Sequence, residues 1–234
     1  MGAEVAHRLM GSPRYRQVQV LLHEPMQVAM RGVTPLQVAA TLQHDPPPAG
    51  QPEPADWPTT SADVAVVMFE PPRVYYQRER AFWTPTPARL PSLAAWLHRT
   101  GVRDLLVLIP HDSGRLPQAL QRGLANLDEE AVARLGFERI LLLRAARTPA
   151  VTTKAPALAR VANWMLGIAR YMVPSGQLPL RATQLAPLVE LALALAPPGV
   201  HVLGPEVLYA AAQGEAHTIL NAHFGLAPHA DGAK

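Results

Sequence analysis

Five short runs of β-branched and leucine-rich residues, separated by longer stretches of helical periodicity, constrain this chain more than any other feature. The runs are Gln17–Leu22 (QVQVLL), Asp63–Phe69 (DVAVVMF), Asp104–Ile109 (DLLVLI), Arg139–Arg144 (RILLLR) and Val200–Leu203 (VHVL), with PLQV around Leu36 as a weaker sixth. A strand with one wet face shows a polar residue at every second position. Strands that stay apolar along their length are buried on both faces, as a parallel sheet covered by helices requires. Helical patterns fall between them: AEVAHRLM, LAAWLHRTG, a segment ending ARLG, ALARVANWMLGIARYM and LAPLVELALAL. Gly101 and Gly136 each follow a last helical turn, where a left-handed residue closes the helix before the next strand. The pattern predicts an α/β protein built on a doubly wound, mostly parallel sheet with helices on both faces.

At 234 residues, 49% apolar and 17% charged, the chain is long enough to bury the core of one large domain. Its net charge of +3 comes from 21 basic against 18 acidic side chains and is not gathered into a block. No dense basic stripe interleaved with aromatics occurs, so nucleic acid is not an expected partner. The absence of cysteine excludes disulfides, thiolate metal sites and a cysteine nucleophile, and the expected location is cytoplasmic. MGAEVAHRLM lacks the apolar core of a signal peptide, and Ala6 stands where a myristoylation motif needs Ser or Thr. The longest apolar stretch, PLVELALALAPPG, carries Glu190 and falls short of the roughly 20 residues that span a bilayer. A membrane is therefore not an expected partner either.

The 25 prolines cluster in two places. Asp45–Pro58 (DPPPAGQPEPADWP) can be neither helix nor central strand, because proline lacks an N–H and drives its neighbour out of the helical region. It reads as an exposed loop. Thr84–Pro91 (TPTPARLP) reads as the end of a loop that introduces the helix SLAAWLHRT. The expected organisation is one α/β domain over residues 1–209, with the proline-rich loop at 45–58, followed by a tail at 210–234. The region after Pro205 is expected to hold one or two short helices, and its end, APHADGAK, to be frayed.

Taken together, ADVAVVMF, LAAWLHRTGVRDLLVLI, LDEEAVARLGFERILLLR and RATQLAPLVELALALAPPGVHVL resemble the atypical branch of the short-chain dehydrogenase/reductases. These are the epimerase-like and NmrA-like NAD(P)-binding proteins of Rossmann-like fold. The resemblance runs from about Gly2 to Leu203. It implies that GAEVAHRLM is the family's first helix and QVQVLL its second strand. In the family a first strand and a glycine-rich phosphate loop precede that helix, and Met1 falls where the loop ends. As written, the chain has neither the strand nor a GxxGxxG cradle, and Gly2 alone could be the loop's last glycine.

Further departures follow from the same resemblance. The family's catalytic Tyr and Lys, four residues apart, correspond to Gln121 and Ala125, which can neither protonate a substrate oxygen nor lower a neighbour's pKa. The serine after the preceding strand is replaced in LLVLIPHDSG, which is expected to put Pro110 and His111 at that turn and Ser113 further out. After ADVAVVMF the family keeps a glycine near the cofactor, whereas here Phe69 is followed by Glu70, Pro71 and Pro72, and a carboxylate there repels a pyrophosphate. His23 and Glu24 follow the second strand, where relatives distinguish NAD from NADP and an acidic residue suits a ribose diol, although a solvated loop end is the preferred reading given the missing phosphate loop. The residues that would face a cofactor are thus Gly2, His23, Glu24, Phe69, Glu70, Pro110 and His111. No catalytic or metal-binding residue is assigned. No cofactor is expected for the chain as written, and NAD or NADP is expected only if the natural chain extends further at its N-terminus.

A missing first strand raises a physical problem, since it would lie between QVQVLL and DVAVVMF. A gap of about five residues leaves rows of unpaired N–H and C=O groups, at roughly 1 to 3 kcal/mol for each buried one. Three outcomes resolve it: an upstream start to the natural chain, which is the favoured expectation, direct pairing of the two strands, or another segment in the gap.

Other groupings have plainer readings. His217 and His223 are six apart, and no compact metal-ligand motif occurs. His111, Asp112 and Ser113 hold the three residue types of a hydrolytic triad, but neighbours in one turn cannot converge as a relay. The aromatic and arginine residues of Val74–Trp83 (VYYQRERAFW) either stack on a planar ligand or partner or pack onto the domain, the second being preferred. Trp164, Met165, Ile168 and Met172 share a helical spacing in the segment where members of the resembled family build a substrate pocket or subunit contact, and core packing is the preferred reading. The functional expectation is a degenerate, non-catalytic NAD(P)-binding-type protein acting in small-ligand sensing or protein interaction, with a small molecule, a second copy or another protein as partner. The alternative is an NAD(P)-dependent oxidoreductase or epimerase with a longer N-terminus and with acid/base groups relocated, for example to His111 or Tyr75. A structural subunit that pairs with a complete relative is a third, weaker class.

Overall fold

The apolar runs become six strands, all paired in parallel, in a computed structural model that describes residues 2–26, 31–43, 56–69, 81–111, 129–146 and 180–226. In chain order the described elements are α1 (Gly2–Gly11), β1 (Val18–Leu22), β2 (Val33–Gln37), β3 (Val64–Met68), α2 (Leu90–Arg99), β4 (Asp104–His111), β5 (Arg139–Ala146), α3 (Ala182–Leu195), β6 (Gly199–Leu203), α4 (Pro205–Gln213) and α5 (Ala216–His223). Residues 129–133 add a helical segment before β5. Short 3₁₀ turns lie at Ala40–Gln43 and Pro87–Arg89, the latter leading into α2.

The strands form two sheets, one of four strands in the order β3–β4–β5–β6 and one of two, β1–β2. β4 and β5 sit inside the larger sheet, and their alternate side chains enter two separate cores. Leu106, Leu108, Leu141 and Leu143 pack with α1, α3, α4 and α5 on one face. Leu105, Val107, Ile140 and Leu142 pack with α2 and the 129–135 segment on the other. Double burial explains why these runs show no polar alternation. The helices after Pro205 belong to the first core, to which they contribute Leu208, Ala211, Leu220 and Phe224.

Arg139 ties the sheet to a helix end. Its Nε lies 3.2 Å from Asp104 Oδ1 on the registered neighbour in β4, an ion pair without hydrogen-bond alignment. Its Nη1 donates to the Leu193 and Ala196 carbonyls at the end of α3, at 3.1 and 2.9 Å. A cation there satisfies carbonyls that the helix cannot pair internally. Gly101 and Gly136 take positive φ of 96° and 83°. Val102 N–H then donates to the Leu97 carbonyl and closes α2 as its glycine signal predicts.

Two prolines in strands lie where their missing N–H costs nothing. Val18 N–H donates to Gly32 and Val38 N–H donates to Leu22, so even-numbered residues of β2 face β1 and Pro35 turns its nitrogen away from the pair. Asp104 N–H donates to Asp63, so even-numbered residues of β4 face β3, whose register ends at Leu108. Among the described residues Pro110 therefore meets no strand on its nitrogen side. This corrects the expectation of a turn at Pro110 and His111: both continue β4, in register with Ala145 and Ala146.

Direct pairing of β1 with β3 does not occur among the described residues. The third resolution occurs in part. Trp83 N–H donates to the Leu21 carbonyl at 2.8 Å and His23 N–H donates to the Ala81 carbonyl at 2.9 Å, making an antiparallel bridge at Leu22 and Phe82. Among the described residues no helix is long and apolar enough to cross a membrane.

Candidate functional site

Between the two sheets lies a cleft of about 250 Å³. Four consecutive residues of β1, Val18 to Leu21, and all five of β3, Val64 to Met68, border it. Successive side chains of a strand point to opposite faces, so a cleft touched by consecutive residues is bordered by the strand's edge. The parity of the hydrogen bonds gives the same result. Gln19 and Leu21 turn their backbone groups away from β2, and Val64, Val66 and Met68 turn theirs away from β4. Leu21 C=O is satisfied by Trp83.

Ala6, Leu9 and Met10 of α1 cover one side of the cleft, and Leu93, Trp96 and Leu97 of α2 cover the other. Trp57 stacks on Trp96, with centroids 4.8 Å apart and planes at 13°, and meets Trp83 edge-on at 5.8 Å. Beside these backbone groups the polar side chains are few, among them a Thr60 hydroxyl that donates to Gln19 Oε1. Tyr15 lies at the amino-terminal end, and burial pushes its phenol above the ordinary value of 10.0. No charged side chain lines the cleft among the described residues. This wall can hold apolar or planar groups and can pair with an extended backbone. It offers no carboxylate, imidazole or amine for proton transfer.

The residues predicted to face a cofactor do not line the body of the cleft. Gly2 begins α1, His23 and Glu24 follow β1, Phe69 follows β3, and Pro110 and His111 end β4. Of the described ones, all except Gly2 thus sit at the carboxyl ends of parallel strands. The His23 ring Nδ1 lies 3.3 Å from the Phe82 carbonyl, Glu24 is exposed, and Phe69 packs partly buried against the α2-side core. Glu70, Gln121, Ala125, Asp112, Ser113, Tyr75 and the Trp164–Met172 group lie outside the described residues. The histidines of the C-terminal helices serve the fold: His223 Nε2 donates to the Val202 carbonyl at 3.1 Å, and Asn221 donates to His217 Nδ1 at 3.0 Å. Among the described residues no three His, Cys, Asp or Glu side chains gather as a metal site would require.

Sequence reasoning did not single out Tyr15, Gln19, Thr60, Trp57 or Trp96 as neighbours of a cleft. One signal was present in QVQVLL, where Gln17 and Gln19 alternate with Val18 and Val20 in a strand otherwise read as fully buried. A strand covered on both faces has little room for two amides, so the alternation marks a strand beside open space. No protein-family model matches the chain, and no curated protein matches it.

Proposed function

We propose that this chain is a non-catalytic, Rossmann-type protein of the short-chain dehydrogenase/reductase kind, acting in the cytoplasm as a small-ligand sensor or an interaction module. The observation that supports the reading most is the position of the cleft. From β1 the chain builds outward to β2, and from β3 it builds the opposite way through β4 and β5 to β6. In a doubly wound sheet such a reversal is where ligands bind, at the carboxyl ends of the strands. His23, Glu24, Phe69 and the end of β4 stand at those ends, and the Trp57–Trp83–Trp96 cluster suits a planar group. Gln121 and Ala125, at the positions of the family's proton-transfer pair, support the absence of hydride chemistry.

A panel of nucleosides, NADH and NADPH, titrated against tryptophan fluorescence and followed by carbonyl substrates, tests the reading. A ligand-dependent change in fluorescence that Phe69→Ala weakens, with no hydride transfer, is the expected result. Turnover with any carbonyl substrate overturns it in favour of an NAD(P)-dependent oxidoreductase or epimerase. The open edges of β1 and β3 are the specific observation that favours this second reading, because a longer chain would supply what the cleft lacks.

A further inference from the structure

The two outer strands of the molecule, β2 and β6, have opposite kinds of free edge. β2 carries Pro35 at its centre and exposes Pro35 and Gln37. β6 has neither proline nor a carboxylate, lysine or arginine between Gly199 and Leu203. Its Val200 and Val202 are 50% and 40% exposed, the only large apolar side chains so exposed among the described residues. Natural edge strands are usually blunted by proline or charge, so an apolar edge without either is suited to pairing. Among the described residues no strand pairs with it.

The hydrogen bonds of β6 define which backbone groups that edge offers. Gly199 N–H donates to the Glu138 carbonyl, so odd-numbered residues face β5 and even-numbered ones face outward. No cis peptide occurs among the described residues, so the Pro198 carbonyl, opposite the Gly199 N–H, points outward too. The edge presents the Pro198 C=O, both groups of Val200 and both groups of Val202. One of these is already taken, because the His223 ring donates to the Val202 carbonyl at 3.1 Å. The two valine side chains share a face with Ile140 and Leu142, their register partners on the α2 side of the sheet.

We propose that this edge pairs with the same edge of a second copy, antiparallel and with Val200 on the two-fold axis. Val200 N–H of each copy then donates to the Val200 carbonyl of the other, and Val202 N–H donates to the partner's Pro198 carbonyl. The Val202 carbonyl, held by His223, lies opposite a proline that has no N–H to give. Every group offered at the edge is thus satisfied. Neighbouring registers fit worse: an axis at His201 makes Val200 N–H compete with His223, and one at Gly199 leaves the Val200 carbonyl opposite the proline. On the α2 side Val200 meets its own counterpart and Val202 meets the partner's Pro198, so both exposed valines leave water together. An isologous contact needs one patch that complements itself, and this edge does. Five strand residues a side are far fewer than the roughly 20 to 30 of a standard interface, so the pair is weak and forms with rising concentration.

Sedimentation velocity of the full chain from about 1 μM to about 1 mM, the range of weak association, tests the inference. A mass that rises toward the dimer is expected. Val200→Pro should abolish the rise, because it removes both central bonds while the monomer leaves that N–H unused, as β2 does at Pro35. Val200→Lys, which keeps the N–H, should weaken pairing at least about tenfold by setting like charges on the axis. Unchanged exchange of the β4 and β5 amides checks that both variants fold. The chain has no cysteine, so Val200→Cys and Gln37→Cys each supply a single thiol. A short thiol cross-linker should join Val200→Cys copies at least about tenfold faster than Gln37→Cys copies. A chain that stays monomeric to about 1 mM overturns the inference. So does a dimer that survives both Val200→Pro and Val200→Lys, or one that cross-links faster through Gln37→Cys. Ligand binding and hydride transfer are read separately and do not depend on the result.

Discussion

β5 and β1 are both rich in leucine with valine or isoleucine, yet they are held very differently. β5 has a strand on each side and helices on each face, and Ile140 to Leu143 are all buried. β1 has β2 on one side and the cleft on the other, and only Leu22 of its five residues is buried. Apolar composition is therefore a poor measure of how firmly a strand is fixed. The number of satisfied edges decides it, because an unpaired backbone group costs about as much as a buried side chain gains.

The sharpest way to break this contrast is to cut equivalent volume from each side. Leu106→Ala in β4, at a fully buried position, should cost about 3 to 4 kcal/mol in chemical denaturation. A smaller loss, near 1 kcal/mol, would show that the four-stranded sheet is not the stable unit. Arg139→Ala comes next, at about 2 to 3 kcal/mol, because it leaves the half-buried Asp104 carboxylate and the end of α3 without their cation. Its effect should appear as a lowered Tm with the β4–β5 amides exchanging sooner. Val20→Ala in β1 should cost only about 1 kcal/mol, since its side chain is half-buried beside the cleft. If it cost as much as Leu106→Ala, the two sheets would be equally well held.

The smallest expected effect concerns the clasp between α1 and α3. The Ser12 hydroxyl and then the Arg8 guanidinium hold the Glu190 carboxyl below its ordinary value of 4.5. A carboxyl depressed in the folded state contributes stability above its unfolded pKa and loses it as pH falls through the lower folded value. Glu190→Gln should therefore cost about 1 kcal/mol or less at pH 7. The difference from the unaltered chain should shrink as the pH drops below about 4.5. A constant difference down to pH 3 would assign the clasp to packing rather than charge.

The strands were legible because double burial removes polar alternation, and the closing glycines because Gly101 and Gly136 need positive φ. Parallel pairing followed from the helices between the runs. Pro110 misled, since a proline normally ends a strand. It is accommodated here only because β3 stops two residues earlier, a fact about the neighbour that the run itself does not carry. The separation of β1 from β3 was equally hidden, because periodicity reports which faces a strand buries and is silent about its edges. Trp57, Trp83 and Trp96 come from distant parts of the chain, and only the packing of α2 beneath the cleft brings them together.

Pro35 has a consequence beyond its own strand. Among the described residues no strand pairs with the outer margin of β2, where Pro35 and Gln37 are exposed, and a second molecule arriving there would meet a five-residue row with one hydrogen missing at its centre. Lateral templating, the step by which sheets grow into fibres, stalls at such a defect. Replacing Pro35 with valine would leave the monomer nearly unchanged while opening that margin to recruitment, and light scattering in concentrated solution would register the difference.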